Sequence, residues 1–178
     1  MRGFQELLYG LPPYLLASIA AALTVAQIIL AFLLFQPGFE ILQWAGWICL
    51  WTAGLFGVLP IITLRQKGGL PRGKSYVHTT ALVDSGIYAV VRHPQGGVAG
   101  LLINLGGMLI ARHWLVIAIG AVGMALRYTD TFKEDRYCID KFGDDYRYYM
   151  QSVPRVNFVA GVIRLLRRWA KQGKEIRR

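Results

Sequence analysis

From Pro13 to Phe35 the chain carries no charged residue, and this run restricts what the whole chain can become. A helix rises 1.5 Å per residue, so a run of that length crosses the ~30 Å hydrocarbon core of a bilayer, with Gln27 as its main polar interruption. Ile41 to Leu64 is a second uncharged run, with Trp44, Trp47 and Trp51 at helical spacing. The 54% hydrophobic content, set against 17% charged, is therefore gathered into blocks. Such clustering selects an integral membrane protein over an apolar soluble domain. The first block reads as a retained helix and not a signal peptide. Its flank carries Arg2 and Glu6, the apolar run is too long, and Gln36-Pro37-Gly38 offers no small-residue cleavage site.

Gly96 to Ile110 and Trp114 to Tyr128 form a third and a fourth block, separated by Arg112-His113. Each spans only ~22 Å as a helix, so flanking residues must extend both arms of a tight helical hairpin. Gly96, Gly97, Gly100, Gly106 and Gly107 on one arm, with Gly120 and Gly123 on the other, predict close helix approach. The expected fold is an all-α, multi-pass, single-domain membrane protein over 1–178, with four transmembrane helices at about 13–35, 41–64, 94–111 and 113–131. A helical cytoplasmic cap at 132–178 ends in an amphipathic tail helix.

Charge sets the expected topology. With both termini cytoplasmic, 19 of the 20 Lys+Arg lie inside and only Arg112 lies outside, a strong positive-inside bias. The net charge of +10 is then assigned to topology and to anionic lipid headgroups, and no nucleic-acid motif accompanies it. Cys49 lies in an apolar run and Cys138 in the cap, so a disulfide is not expected. The scattered His78, His93 and His113 give no metal-ligand spacing.

Arg65 to Ala81 reads as a basic, turn-rich connection, followed by a short helix around Thr80 to Ser85. Helix is expected from Asp130 through Lys141. Gly143 would take the left-handed position after it, and Asp144 would cap a second short helix bearing Tyr146, Tyr148, Tyr149 and Met150. From Phe158 onward, Phe158, Val162, Ile163, Leu165, Leu166 and Trp169 fall mostly on one side, with Arg164, Arg167, Arg168 and Lys171 around the other. That pattern predicts an interfacial helix, with Lys171 to Arg178 as a solvated tail.

Polar groups near lipid are costly and point to function. Arg92 and His93 precede Pro94, whose fixed φ suits the first turn of the third helix. They stand at a positive helix N-terminus that favours an anionic ligand group. Glu134-Asp135 returns to the same face and could hold an ammonium or ribose hydroxyls. Singly, each has a plain explanation: headgroup snorkelling for Arg92, and a salt bridge to Lys133 or Arg136 for the acids. Together, beside converging tyrosines, they mark a candidate site.

The string Leu82-Val83-Asp84-Ser85-Gly86-Ile87-Tyr88, then Arg92-His93-Pro94, Glu134-Asp135, Phe142-Gly143-Asp144-Asp145-Tyr146, Tyr149 and Val153-Pro154-Arg155 resembles the isoprenylcysteine carboxyl methyltransferase family, to which phospholipid methyltransferases are related. The resemblance runs from Gly73 to Arg155. It implies a membrane enzyme using S-adenosylmethionine, with the cofactor bound on the cytoplasmic side and a lipid-anchored acceptor entering from the bilayer. Carried over by motif, Tyr88, Arg92, His93 and Pro94 line the cofactor pocket, Glu134 holds its polar end, Asp135 supports it, and Tyr146 and Tyr149 form a lid. Arg92, Glu134 and Arg155 are the implied catalytic set, with Arg155 approaching the acceptor. The implied acceptor is a prenylcysteine-like carboxylate; a phospholipid, amine or thiol is the alternative. Gly96 and Val98 depart from the family, which usually has an aromatic residue and a Gly there, and Asp130 stands where an Arg is common. The tail is also similar to that of membrane sterol reductases, which implies a nicotinamide cofactor, and a non-catalytic scaffold is a third reading.

Overall fold

A computed structural model describes residues 10–12, 14–69, 71–75 and 78–175. Among the described residues six α-helices carry the fold: α1 Leu15–Leu33, α2 Glu40–Lys67, α3 Gly100–Ala111, α4 Trp114–Phe142, α5 Asp144–Ser152 and α6 Phe158–Glu175. A 3-10 turn at Gly86–Ala89 and a π-helical turn at Pro94–Ala99 precede α3. Four segments are long and apolar enough to cross a membrane: α1, α2, the π turn with α3, and α4. Their outward faces are apolar, with Phe32, Ile41, Trp51 and Trp114 all largely exposed, as a lipid-facing surface requires.

α3 is the centre of the bundle. It packs against α2 on one side and α4 on the other, and α1 lies across α4 and α3. Gln27 of α1 is buried, not lipid-facing, and its side-chain amide donates to the carbonyls of Asn104 at 2.9 Å and Val116 at 3.3 Å. Asn104 in turn donates to the Gly100 carbonyl at 2.7 Å. In lipid the alternative to such bonds is an unsatisfied amide, so this network ties three helices together. The glycines serve it. Gly106 and Gly46 serve backbone approach between α3 and α2, where a Cβ on either would stand 2.9 Å from the other's carbonyl oxygen. Gly120 and Gly123 instead make room for the side chains of Gln27 and Asn104.

At one end of the bundle Arg112, in the left-handed conformation (φ +53°), donates to the carbonyls of Gly38 and Gln36. The α1–α2 and α3–α4 turns therefore belong to the same end. His113 caps α4 there, its Nδ1 accepting from the Leu115 N–H at 3.3 Å.

The opposite end differs from the sequence reading in four places. The fourth crossing, expected to end near Thr131, and the helix expected from Asp130 through Lys141 are one element, α4, which runs unbroken to Phe142 because no Gly or Pro interrupts residues 124–142. Its 29 residues make ~43 Å of helix, so roughly the last nine extend beyond a ~30 Å core as a rigid rod. α2 likewise continues to Lys67. The expected helix at Thr80–Ser85 is absent; the chain there is extended and turns only at Gly86–Ala89, where Gly86 takes φ +63°. Gly143 has the expected positive φ (+60°) but ψ is −133°, outside the left-handed helical region, and Asp144 enters the first turn of α5 without capping it, pairing with Arg147 at 2.6 Å. The tail helix α6 is present, capped by Asn157 Oδ1 accepting from the Ala160 N–H at 3.0 Å. Residues 176–178 of the expected tail lie outside the described residues, as does Pro13 at the expected start of the first helix.

Candidate active site at the Arg92–His93–Glu134–Asp135 cluster

Pro94 ends the extended approach to the bundle and begins the π turn, in which the Val98 N–H reaches back to the His93 carbonyl at 2.9 Å. π turns of this kind recur at functional sites because the wider turn re-aims the side chains before it. The backbone of Arg92 and His93 is also pinned from the other side. Their N–H groups donate to the carbonyls of Pro154 at 3.0 Å and Arg155 at 3.1 Å. Residues some sixty positions apart in sequence are thus held as one short ribbon.

The side chains meet the rod of α4. His93 lies between two carboxylates, Nδ1 at 2.7 Å from Glu134 Oε2 and Nε2 at 2.8 Å from Asp135 Oδ1. Burial works against a charged imidazole, but the hydrogen bonds and charges of Asp135 and Glu134 outweigh it and raise the His93 pKa above its ordinary 6.5. The imidazolium donates from both nitrogens, which a neutral ring does not. Asp135 is the hub. Oδ1 also accepts from Arg92 Nη1 at 2.9 Å and from the Tyr146 hydroxyl at 2.7 Å, and Oδ2 accepts from Arg155 Nε at 2.9 Å and Nη2 at 2.8 Å.

The plain ion pairs do not form here. Lys133 donates to the carbonyls of Leu11 at 3.1 Å and Pro12 at 2.8 Å, and Arg136 pairs with Asp140 at 3.3 Å. Arg92 is not at a headgroup position either, since its side chain is only 7% exposed.

Beside the cluster lies a cavity of about 280 Å³. Tyr88, Arg92, His93, Pro94, Glu134, Tyr146 and Tyr149 all line it. Asp135 and Arg155 do not. Asp135 stands behind the wall and fixes Arg92 and His93, and Arg155 bonds to Asp135 with its guanidinium 3.6 Å from the centre of the Phe132 ring. Tyr149 closes the cap by donating to the Tyr88 carbonyl at 2.6 Å, and its ring packs 5.6 Å from that of Tyr146. Burial pushes both phenols far up, so they serve as neutral donors.

Tyr137, Cys138, Lys141 and Phe142 also line the cavity and were not singled out from sequence. Their signal was helical spacing: they follow Glu134 by three, four, seven and eight residues, on one face of the helix expected from Asp130 through Lys141.

Two features of the cavity select a ligand. Glu134 directs Oε2 to His93, whereas Oε1 has no hydrogen-bond donor among the described residues and its side chain is 43% exposed. Gly96 stands against that oxygen, where a Cβ would come within 3.1 Å. The absent aromatic side chain thus leaves room for the Glu134 carboxylate itself. Arg92 Nε is buried without an acceptor. A carboxylate oxygen without a donor and the Arg92 side chain line one cavity whose wall also carries tyrosine and phenylalanine rings, a set that can hold a ligand bearing an ammonium, a carboxylate and a flat ring. Among the described residues no group of three His, Cys, Asp or Glu side chains could hold a metal ion. Cys49 and Cys138 are free thiols. No family model, curated protein or solved structure matches the chain.

Proposed function

We propose that the cavity binds S-adenosylmethionine and that the protein is a membrane methyltransferase acting on a lipid-anchored acceptor, with a prenylcysteine-like carboxylate as the first choice. The single observation that supports this most is the unshared Glu134 Oε1 beside Gly96, in a tyrosine-lined cavity whose wall also holds Arg92. Glu134 would take the ligand's ammonium, Arg92 its carboxylate, and the rings of Tyr88, Tyr137 and Phe142 the adenine and the sulfonium face. The volume of about 280 Å³ lies just below the roughly 300–1,000 Å³ usual for small-molecule sites, which favours a single nucleoside over a dinucleotide. This weighs against the nicotinamide reading.

When bound, the cofactor supplies an electrophilic methyl group on a positive sulfur. The chain's part is alignment and exclusion of water, since in-line displacement rewards positioning above all. Asp135 holds Arg92, His93 and Tyr146 in register, and Tyr149 ties the cap to the Tyr88 segment. A carboxylate acceptor needs no base. An amine acceptor is the second reading, favoured by Asp130, which is 9% exposed and has no hydrogen bond or ion pair among the described residues, one turn before Glu134. The amine would have to lose a proton first, and with both Glu134 oxygens engaged by His93 and the cofactor, Tyr88 in the cavity wall is the candidate route. The positive-inside bias of the loops orients this end of the bundle, and both termini, toward the cytoplasm.

Calorimetry of the detergent-purified protein tests the cofactor. Saturable binding of S-adenosylhomocysteine, lost in Glu134→Ala and not replaced by NADPH, is the expected result. Binding of NADPH alone, or unchanged affinity in the variant, rejects the assignment. Alkali lability of the methylated product then separates an ester from an amine or thiol product.

A further inference from the structure

The tail helix α6 leaves the bundle in an unusual way. Its closest described contacts lie in its first half. Phe158 packs on Phe56 of α2 with ring centres 5.2 Å apart, and Gly161 presses on the backbone beside the cavity wall, where a Cβ would fall 1.9 Å from the Val90 carbonyl oxygen. Arg164 donates to the carbonyls of Ala89 and Ser152, bridging the 3-10 turn to α5. From Leu166 to Lys171 every residue is exposed, including Leu166 at 56% and Trp169 at 64%.

The exposed residues are ordered. Val159, Val162, Ile163, Leu166 and Trp169 recur at helical spacing along one side; Arg167 borders them, Lys171 lies further round, and Arg168 turns toward the bundle, where it lines a second cavity with Arg164. An apolar stripe with a tryptophan, edged by exposed cations, complements the headgroup region of an anionic bilayer. The stripe begins beside Phe158, which packs on Phe56 in the core of the membrane-crossing bundle and so fixes the helix next to the lipid-facing helices. This placement and the sign of the charge assign the occupant.

We propose that α6 docks on an anionic lipid surface and acts as a lever on the cavity: seating the stripe in the bilayer presses Gly161 and Arg164 onto residues 89–90 and so steadies the wall carrying Tyr88, Arg92 and His93. The joint is backbone against backbone at Gly161, so a displacement of α6 has no flexible side chain in which to be absorbed. The inference concerns the wall and stands whatever ligand the cavity takes.

Hydrogen exchange of the full chain tests it, in nanodiscs of phosphatidylcholine and in nanodiscs with about a third phosphatidylglycerol. The expected result is several-fold slower exchange in anionic discs both in 158–171 and in 88–93, reversed by 0.5 M salt as screening predicts. Replacing Arg167 and Lys171 together by Gln should abolish the response in both segments. Gly161→Ala should keep the response of α6 and lose that of 88–93; because that variant is crowded, Arg164→Gln provides the same separation with less steric cost. Equal exchange in the two lipids overturns the proposal. So does protection that appears in phosphatidylcholine only as protein concentration rises, which would give the stripe to a second copy of the chain, and so does an 88–93 response that persists in both joint variants.

Discussion

Replacing Asp135 by Asn should be the most destructive isosteric change in the cap. Asp135 is 3% exposed and accepts five contacts, from Arg92, His93, Tyr146 and two nitrogens of Arg155. The amide keeps one acceptor oxygen but puts a donor where another donor already points. It also removes the negative charge from three buried or half-buried cations. Removing one partner from a buried ion pair costs about 3–5 kcal/mol, because the remaining charge stays desolvated and uncompensated. For a chain of this size each kcal/mol shifts the midpoint by about 2–4 °C, so Asp135→Asn should lower it by on the order of 10 °C. A thiol-reactive dye can follow the transition in detergent, since Cys49 and Cys138 are free and only partly exposed. Asp140→Asn is the control. Its pair with Arg136 is 61% exposed on both sides, and such pairs contribute ~1 kcal/mol or less. Equal midpoints for the two variants would refute the view that Asp135 organises the site.

The raised pKa of His93 makes the cap pH-dependent. Its charged form is favoured in the folded chain, so the stabilisation is complete below about pH 6.5 and is lost as pH rises through the raised value; midpoint against pH should fall on the alkaline side in the wild type and flatten in His93→Gln. Within the bundle, Gly120→Ala would bring a Cβ within 2.3 Å of Gln27 Nε2 and 2.8 Å of Met108 Cγ, so a loss of about 1–3 kcal/mol is expected in the same melting assay. Gly54→Ala, with nothing within 4 Å, should be neutral or slightly stabilising.

Much of the fold is legible in the sequence because lipid is an unforgiving solvent. An uncharged run the length of a bilayer has few alternatives to a helix, and Arg112-His113 between two apolar blocks reads as a hairpin turn without knowledge of contacts. The amphipathic order of α6 follows from spacing alone. The residues of the candidate cavity were also accessible, since Arg92, His93 and Glu134-Asp135 are polar exactly where apolar residues would cost less.

Tertiary structure decided the rest, and in each case the cause is a partner distant in sequence. Local pattern ended the fourth crossing near residue 131, but α4 is one rod, and only its rigidity sets Glu134 against His93 at 2.7 Å. Spacing showed an acidic pair but not its division of labour: Glu134 faces the cavity with one oxygen unshared, whereas Asp135 turns behind the wall to hold Arg92 and Arg155. The glycines marked close packing; which of them admit a backbone and which admit Gln27 or Asn104 depended on where α1 lay. Sequence by itself determined the membrane-crossing blocks and the polar residues at their edge, because burial in lipid is a property of each segment alone. The pairing of those residues into a cavity wall was decided by the bundle, because a hydrogen bond needs both ends in place.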